Sequence, residues 1–535
     1  MRMVLNALVG ALFLYATSIF AQGGDLIFED SFELCLDPAT IKWDGGGDGT
    51  TWGDPLNWEG DAVPGNGASV VILEEGTVLF DSSATDVSLD CFGSNSHIDL
   101  AARTLTIDRI GSFIGGLTVR SSGILNVSGR AIVRAEFVQS GGTVGGVGTL
   151  IARGPVAWSG GTMKDSGATI FKGAVSITGA AITYRRERTV TLNAETTWTG
   201  GNVYLGYSAV LNIEAPFNIQ GDQDIVQWST VGTININAAL TKATGASDTV
   251  LAANFFNNDT VTVSIGNLDM GRSGASGTST GNFEVTSALS TLTVRGAHSL
   301  VGGNMTGAGN FLLDGGSTAQ VTQITGTFNM TGELTVKSGT LVFPGAQTFS
   351  SDITVAGGVL DLQAAVTANK DVTINNGTLT VANSLGIDGN LTQTAGILRG
   401  VGSMTVTGAY AWSGGTLQDS GTTIVNGAMS FSGTAIKYLR ERTVTLNGET
   451  TWTGGNVYLG YSAVLNIEAP FTIQGDQDIV QWSTVGTINI NAALTKATGA
   501  GTTVLAANFF NNDTVTVSIG NLDMGRSGSS GTSTG

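Results

Sequence analysis

The paired carboxylates Asp222 and Asp224, which recur as Asp476 and Asp478, are the first residues whose spacing could support chemistry. Two acids separated by one residue would project from the same side of a strand, where they could bind calcium or act as general acid and base. The alternative is a solvated turn after Gly221 with no catalytic or metal-binding role. These four acids are the candidate metal ligands of the chain, and both interpretations stay open.

Histidine and serine chemistry is less favoured. The two histidines, His97 and His298, are about 200 residues apart, so a histidine metal site or a catalytic triad is hard to assemble. Residues 277–281 fit the pattern G-x-S-x-G and recur as 531–535, but a nucleophile elbow requires a following helix, and none is predicted. The sequence contains no Walker loop, dinucleotide fingerprint or CxxC pair. We therefore predict no catalytic residue and no cofactor.

Basic residues form two local groups on an otherwise acidic chain. They flank Glu187 in the first group and Glu441 in the second, and they comprise Arg185, Arg186, Arg188, Arg440 and Arg442. These guanidinium groups could bind an acidic glycan. Alternatively, they form a solvated outer ladder with modest ion pairing.

Four tryptophans invite a second interpretation in terms of sugars. Trp158 and Trp198 are 40 residues apart, and so are Trp412 and Trp452, which would suit an aromatic platform along a regular structure. However, Trp412 shares its alternation with Val336, Val355 and Ile374, which are predicted to point inward. We therefore expect Trp158 and Trp412 to lie in the core, with the sugar platform as the alternative.

Charge and the N-terminal segment indicate where the chain acts. A formal net charge of −18 argues against nucleic acid as a partner, because phosphate binding requires clustered lysine and arginine. Residues 1–21 are typical of a secretory signal peptide, and no later stretch predicts a membrane-spanning helix. In an oxidising compartment the only two cysteines, Cys35 and Cys91, are candidates for a disulfide, with two free thiols as the alternative.

Internal repetition determines the predicted architecture. Residues 184–281 recur almost unchanged as 438–535, at an offset of 254. Within this large unit a finer 19-residue period links Gly339, Gly358, Gly377, Gly396 and Gly415. Aligning the coils on these glycines brings together columns of apolar residues that alternate with threonine, as in strands with one buried face. One such column consists of Leu334, Ile353, Val372, Leu391 and Tyr410.

Identical columns in successive coils place each strand beside its counterpart, parallel and in register. The predicted fold is all-β, a parallel β-helix or β-solenoid with 19-residue coils. The regular threonine column would also permit ice binding. The predicted divisions are a signal peptide (1–21), an N-terminal segment and cap (22–100), a first solenoid copy (101–281), and linking coils with the second copy (282–535). We also expect the native protein to continue beyond Gly535 into further coils and an anchor.

These glycine-punctuated coils resemble the β-helices of filamentous-haemagglutinin-type adhesins and autotransporter passenger domains of bacteria. The resemblance implies a right-handed helix in a secreted or cell-surface protein that uses secretion machinery and contacts a glycan or another surface ligand. The expected function is a structural or adhesive rod without catalytic activity. Because parallel β-helices also include polysaccharide lyases and hydrolases, a polysaccharide-active enzyme is the alternative.

Overall fold

The computed structural model of the chain describes residues 39–113, 115–179, 183–526 and 528–535. They form a parallel β-solenoid of about 22 turns with about 21 residues in each turn. The one helical element in this part of the chain is a 3-10 turn at Pro55–Asn57. The predicted fold class is therefore confirmed. The signal peptide and Cys35 lie outside the described residues.

Most turns contribute three strands, so the solenoid has three faces. We number them by the strands of one turn: face 1 contains Val203–Gly206, face 2 contains Val210–Ile213 and face 3 contains Phe217–Gln220. Each strand pairs in parallel with its counterpart in the next turn, as Tyr204 does with Val226. The edge groups of each coil between the two ends are therefore satisfied by its neighbours.

The first three turns of each copy of the repeat have closely matching strands. In the first copy they are Thr183–Arg186, Thr189–Leu192, Thr196–Trp198, Val203–Gly206, Val210–Ile213, Phe217–Gln220, Ile225–Trp228, Thr233–Ile236 and Leu240–Thr244. In the second copy they are Lys437–Arg440, Thr443–Leu446, Thr450–Trp452, Val457–Gly460, Val464–Ile467, Phe471–Gln474, Ile479–Trp482, Thr487–Ile490 and Leu494–Thr498. Several strands elsewhere bend around a corner and serve two faces: Val87–Ser94, Thr104–Phe113, Phe137–Gly145, Val156–Met163, Asn267–Ser279 and Thr291–Leu300.

The core is the interior of the coil, and strand alternation supplies it. The predicted inward column is buried throughout, with exposures between 0% and 2% for Leu334, Ile353, Val372, Leu391 and Tyr410. The threonines between the columns face outward and are half-buried. Stacked coils bury these apolar side chains together, which no single coil could do alone.

The 19-residue period holds in two parts of the rod, one before the first copy of the repeat, where Val156 pairs with Val175, and one in the middle. Leu334 pairs with Ile353 and Leu391 with Tyr410 at this spacing. Within the duplicated segment the coils are longer: the stacked partners Thr191 and Asn212 are 21 residues apart, and Asn212 and Asn235 are 23 residues apart. The predicted 19-residue coil is thus too short for the chain as a whole, because the corners in the two copies contain extra residues.

The glycine column reflects the close approach of successive coils. A Cβ on Gly358 would lie 2.7 Å from the carbonyl oxygen of Gly339, and one on Gly377 would lie 2.5 Å from that of Gly358. Both distances are too short for a side chain. These glycines therefore set the stacking distance at that corner.

Aromatic packing closes the N-terminal end of the described solenoid. The Trp52 ring lies 4.7 Å from that of Trp58 and 4.9 Å from that of Phe80, and both tryptophans are fully buried. The preceding loop is fastened by Asn57, whose amide oxygen accepts from the backbone of Gly47 and Gly49. This arrangement covers the apolar end that a solenoid would otherwise expose.

The two copies of the repeat do not lie on the same faces. Face 1 can be followed from strand to strand through the parallel pairings. Along it, the strand Thr450–Trp452 lies twelve turns after the strand Val203–Gly206. The equivalent of Val203–Gly206 is the next strand, Val457–Gly460, which belongs to face 2. The 254-residue offset thus amounts to twelve turns and one third. Every surface feature of the first copy reappears one corner further around the coil.

Candidate ligand-binding site

Asp222 and Asp224 lie in a turn between faces 3 and 1, not on one side of a strand. Asp222 forms an ion pair of 2.9 Å with the Nζ atom of Lys242, whose side chain is fully buried. The Asp224 carboxylate accepts from the backbone amide of Val250 at 2.8 Å, and burial raises its pKa. The structure therefore places both acids in a turn, where each carboxylate has a partner within the protein.

The second copy repeats this turn. Asp476 pairs with Lys496 at 2.8 Å, and the hydrogen bond from this lysine lowers the pKa of the carboxyl group. The Asp478 carboxylate accepts from the backbone amide of Val504 at 2.8 Å. These contacts hold a wide corner together. In the part of the chain that the structure describes, no group of three histidine, cysteine or acidic residues could hold a metal ion.

The histidines are separate. His298 is buried, stacks on Phe255 at 4.0 Å between ring centroids and donates from Nε2 to the Arg295 carbonyl oxygen at 2.9 Å. Burial lowers its pKa to about 4, which keeps the ring neutral at pH 7. His97 contacts Thr118 instead, at 2.8 Å. The two imidazole rings therefore do not share a site.

The G-x-S-x-G segment overlaps a strand rather than a strand-to-helix turn. Ser279 ends the strand Asn267–Ser279, and its hydroxyl oxygen accepts from the backbone amide of Asn257 at 3.0 Å. The Ser279 side chain is buried. The hydroxyl therefore bonds to the neighbouring coil, and the geometry of a nucleophile elbow is absent here.

The prediction for the tryptophans is confirmed. Trp158 is fully buried and Trp412 is 1% exposed, and Trp198 and Trp452 are also buried. Their indole N–H groups donate to glycine carbonyl oxygens in the following corner, as Trp412 does to Gly414 at 3.0 Å. The sugar platform proposed for these four positions is therefore wrong.

The arginines of each basic group divide between inside and outside. Arg188 and Arg442 are fully buried, so the surface interpretation is wrong for both. Arg442 donates from Nε to the Thr423 hydroxyl at 2.8 Å and from its terminal nitrogens to four carbonyl oxygens, those of Gly400, Gly402, Gln418 and Thr422. Burial lowers its pKa to about 10, and it stays charged at neutral pH. These arginines thus bind several coils together from within.

Arg186, two residues before Arg188, points outward and stacks against aromatic rings. Its guanidinium carbon lies 4.2 Å from the ring centroid of Trp228 and 5.5 Å from that of Tyr207. Arg186, Gly206 and Trp228 occupy the same register position in three successive strands of face 1. Since Gly206 has no side chain, the arginine can reach across this strand to the indole ring. We call Arg186, Tyr207 and Trp228 the first cluster.

The second copy forms the same arrangement on face 2. The guanidinium carbon of Arg440 lies 4.4 Å from the ring centroid of Tyr461 and 4.8 Å from that of Trp482. Tyr438 extends the patch, with its ring 5.1 Å from Trp482 and 5.4 Å from Tyr458. All five side chains are half-buried at the surface. We call this group the second cluster.

Backbone strain is concentrated at these corners. Eight of the thirteen non-glycine residues with positive φ in the described chain lie beside the two clusters. They are Glu187, Tyr207, Ser208, Ser229, Glu441, Tyr461, Ser462 and Ser483. A left-handed conformation costs roughly 1 to 2 kcal/mol at each non-glycine residue, and such strain is typical of functional sites. The corners thus hold the aromatic rings outward at a cost in stability.

The two outward arginines have unused hydrogen-bonding capacity. Among the described residues, the guanidinium group of neither Arg186 nor Arg440 forms an ion pair or a hydrogen bond, and the Nε atom of each is buried. Cation–π contacts hold their guanidinium groups in place instead. A pre-positioned guanidinium beside aromatic rings can receive an anionic or hydroxylated ligand.

Sequence reasoning missed the aromatic members of both clusters. The available signal was strand alternation: Ile225 points inward, so Trp228, three residues later, must point outward. The stacking of Trp228 on Arg186 depends on which residues pair between coils longer than 19 residues. The 19-residue period does not predict that register.

Cys91 is disulfide-bonded. Its predicted partner, Cys35, lies outside the described residues, so this pairing stays a prediction. Within the described ranges, no helix has the length and apolar character needed to cross a bilayer.

The fold defines the chain as a repeat protein of the parallel β-solenoid class. No family model matches the sequence, and no curated protein or solved structure is significantly similar to it.

Proposed function

We propose that this protein is an exported, non-catalytic rod that adheres to a surface ligand through its two aromatic–arginine clusters. The observation that carries the proposal is the outward arginine of each cluster, whose guanidinium group is held by aromatic rings and forms no hydrogen bond or ion pair among the described residues. A rod of about 22 turns at roughly 4.8 Å per turn is about 105 Å long, which separates the clusters along its axis. Such spacing suits a structural or adhesive protein.

An acidic glycan is the ligand class that matches the clusters. The faces of Tyr207, Trp228, Tyr461 and Trp482 provide flat apolar surfaces for the C–H groups of pyranose rings. The adjacent guanidinium offers paired N–H donors to a sugar carboxylate. A neutral glycan would satisfy the rings but leave the arginine charge uncompensated.

Calorimetric titration with hexagalacturonate, using cellohexaose as the neutral counterpart, tests this proposal. We expect binding of hexagalacturonate and at least tenfold weaker binding of cellohexaose. The double variants Trp228→Ala/Trp482→Ala and Arg186→Gln/Arg440→Gln should lose the interaction. Arg399→Gln changes an exposed arginine outside the clusters and serves as the matched control. Unchanged binding by both double variants would exclude the clusters as the adhesive site.

The enzyme alternative makes a different prediction for the same mixtures. A lyase or hydrolase would shorten polygalacturonate and generate new reducing ends, whereas an adhesive rod would leave its length unchanged. Export can be checked separately, by fractionation of producing cells and N-terminal sequencing of the released protein. A product that retains residues 1–21 and stays in the cytoplasm would contradict the export part of the proposal.

A further inference from the structure

We infer that the protein cross-links separate glycan chains, because its two clusters face away from different corners of the rod. This inference rests on the proposed function, since it assumes that both clusters bind the glycan. What it adds is the geometry of binding. The first cluster lies on the corner between faces 1 and 2, and the second lies on the corner between faces 2 and 3.

The difference in direction follows from the length of the duplicated unit. Had the 254-residue offset contained a whole number of turns, Trp228 and Trp482 would lie on the same corner, and one extended chain could contact both. The pairings give twelve turns and one third, so Trp228 ends a strand of face 1 and Trp482 ends a strand of face 2. Their axial separation is on the order of 60 Å.

A straight chain along the rod therefore contacts one cluster and passes the other. The clusters are also held rigidly, because each arginine and ring is fixed by neighbouring coils and by left-handed corner residues. Rigid sites that face different directions gain little from binding the same chain, since simultaneous contact requires the chain to bend around the coil. Two different chains satisfy both clusters without such bending.

The experiment combines a short ligand, which reports each site, with a polymer, which reports cross-linking. Hexagalacturonate should bind the wild-type protein at about two molecules per chain. Trp228→Ala and Trp482→Ala should each retain about one, with the dissociation constant of the remaining site changed by less than about threefold. Arg186→Gln and Arg440→Gln provide the same test with smaller changes to the surface, and circular dichroism verifies folding.

Dynamic light scattering with polygalacturonate then measures cross-linking. The wild-type protein should increase particle size at least severalfold at low protein-to-polymer ratios, and excess protein should reverse the increase. Each single-cluster variant should bind the polymer without increasing particle size. Deletion of residues 359–377, one whole coil of the regular segment, changes the axial separation but not the corner, and it should cross-link like the wild type.

Two results would overturn the inference while leaving the proposed function intact. One is a single-cluster variant that still cross-links. The other is a wild-type protein that binds the polymer more than about a hundredfold more tightly than the hexamer without particle growth, which would indicate two contacts on one chain. Absence of hexamer binding to the wild type would instead refute the proposed function, and the cross-linking inference with it.

Discussion

Two arginines separated by one residue have opposite roles at the same corner. Arg440 lies on the surface between Tyr461 and Trp482, and Arg442 lies inside the coil and donates to oxygens of earlier turns. The residue between them, Glu441, has a φ of 59°. The corner thus turns one basic side chain toward solvent and the other toward the backbone.

This division predicts separate effects on stability and binding. Arg442→Gln should destabilise the surrounding coils by roughly 3 to 5 kcal/mol, because it leaves buried carbonyl oxygens without donors. Arg440→Gln should change stability by less than about 0.5 kcal/mol and reduce glycan binding. Hydrogen exchange in the strands Thr422–Val425 and Thr443–Leu446 measures the first effect, and calorimetry measures the second. Equal loss of protection in both variants would contradict the assignment.

One inward and one outward tryptophan provide a second pair of variants that separates stability from binding. Trp412→Ala removes a buried ring and should cost about 3 to 5 kcal/mol locally, with little direct effect on ligand binding. Trp482→Ala should weaken binding instead. Local stability is again read from hydrogen exchange, here in the strand Leu391–Gln393, which pairs with that of Trp412. Normal protection in Trp412→Ala would show that this ring adds little to the core.

Lys437 predicts a pH dependence that is confined to the second copy. Its ammonium group is buried and donates to the carbonyl oxygens of Ala435 and Gly454, and burial lowers its pKa from 10.5 to about 8. Between about pH 8 and 10.5 the unfolded chain therefore binds more protons than the folded chain, so stability from this group rises with pH. Thr183 occupies the equivalent position in the first copy.

The variant Lys437→Thr removes this titration and copies the sequence of the first repeat. Thermal unfolding between pH 7 and 10 should show the wild type gaining stability relative to Lys437→Thr above about pH 8. Parallel pH curves for the two proteins would mean that Lys437 keeps an ordinary pKa in the folded state.

At the scale of the strand, the sequence predicts the columns of inward residues in the regular coils. It does not predict the conformation of the corners. Leu360 and Leu379 align because their coils have equal length and fill the same interior position. Asp222 was placed on a strand because its spacing from Asp224 satisfies alternation, yet both lie in a corner whose contacts come from Lys242 and Val250, some 20 to 26 residues later. Left-handed residues such as Tyr207 interrupt the alternation of inward and outward side chains. The direction of a ring at a corner can therefore be predicted only when the register between neighbouring strands is known.

The regular coils should be removable as units. Deleting residues 359–377 joins Gly358 to Thr378, which replaces Val359 in its outward position and preserves every inward column. We expect a folded, soluble product whose far-ultraviolet circular dichroism matches the wild type. Deleting only residues 359–367 would shift inward and outward positions and serves as the disruptive control. A misfolded whole-coil deletion would contradict coil independence.

At the scale of the whole molecule, the length of the repeat determines both the length of the rod and the direction in which each cluster faces. Stacking about 22 coils produces the rod, and the third of a turn left over in each 254-residue unit moves the second cluster to another corner. Duplication of such a unit therefore adds a second aromatic–arginine cluster and places it on a different corner. A unit of whole turns would have lengthened the rod while keeping all sites in line.

The most direct test of this account is a crystal structure of the protein with hexagalacturonate bound. We expect the ligand on the rings of Trp228 and Trp482, with a sugar carboxylate within about 3 Å of Arg186 and of Arg440, on two different corners of the coil. Ligand density confined to another surface, or present on only one of the two clusters, would contradict it.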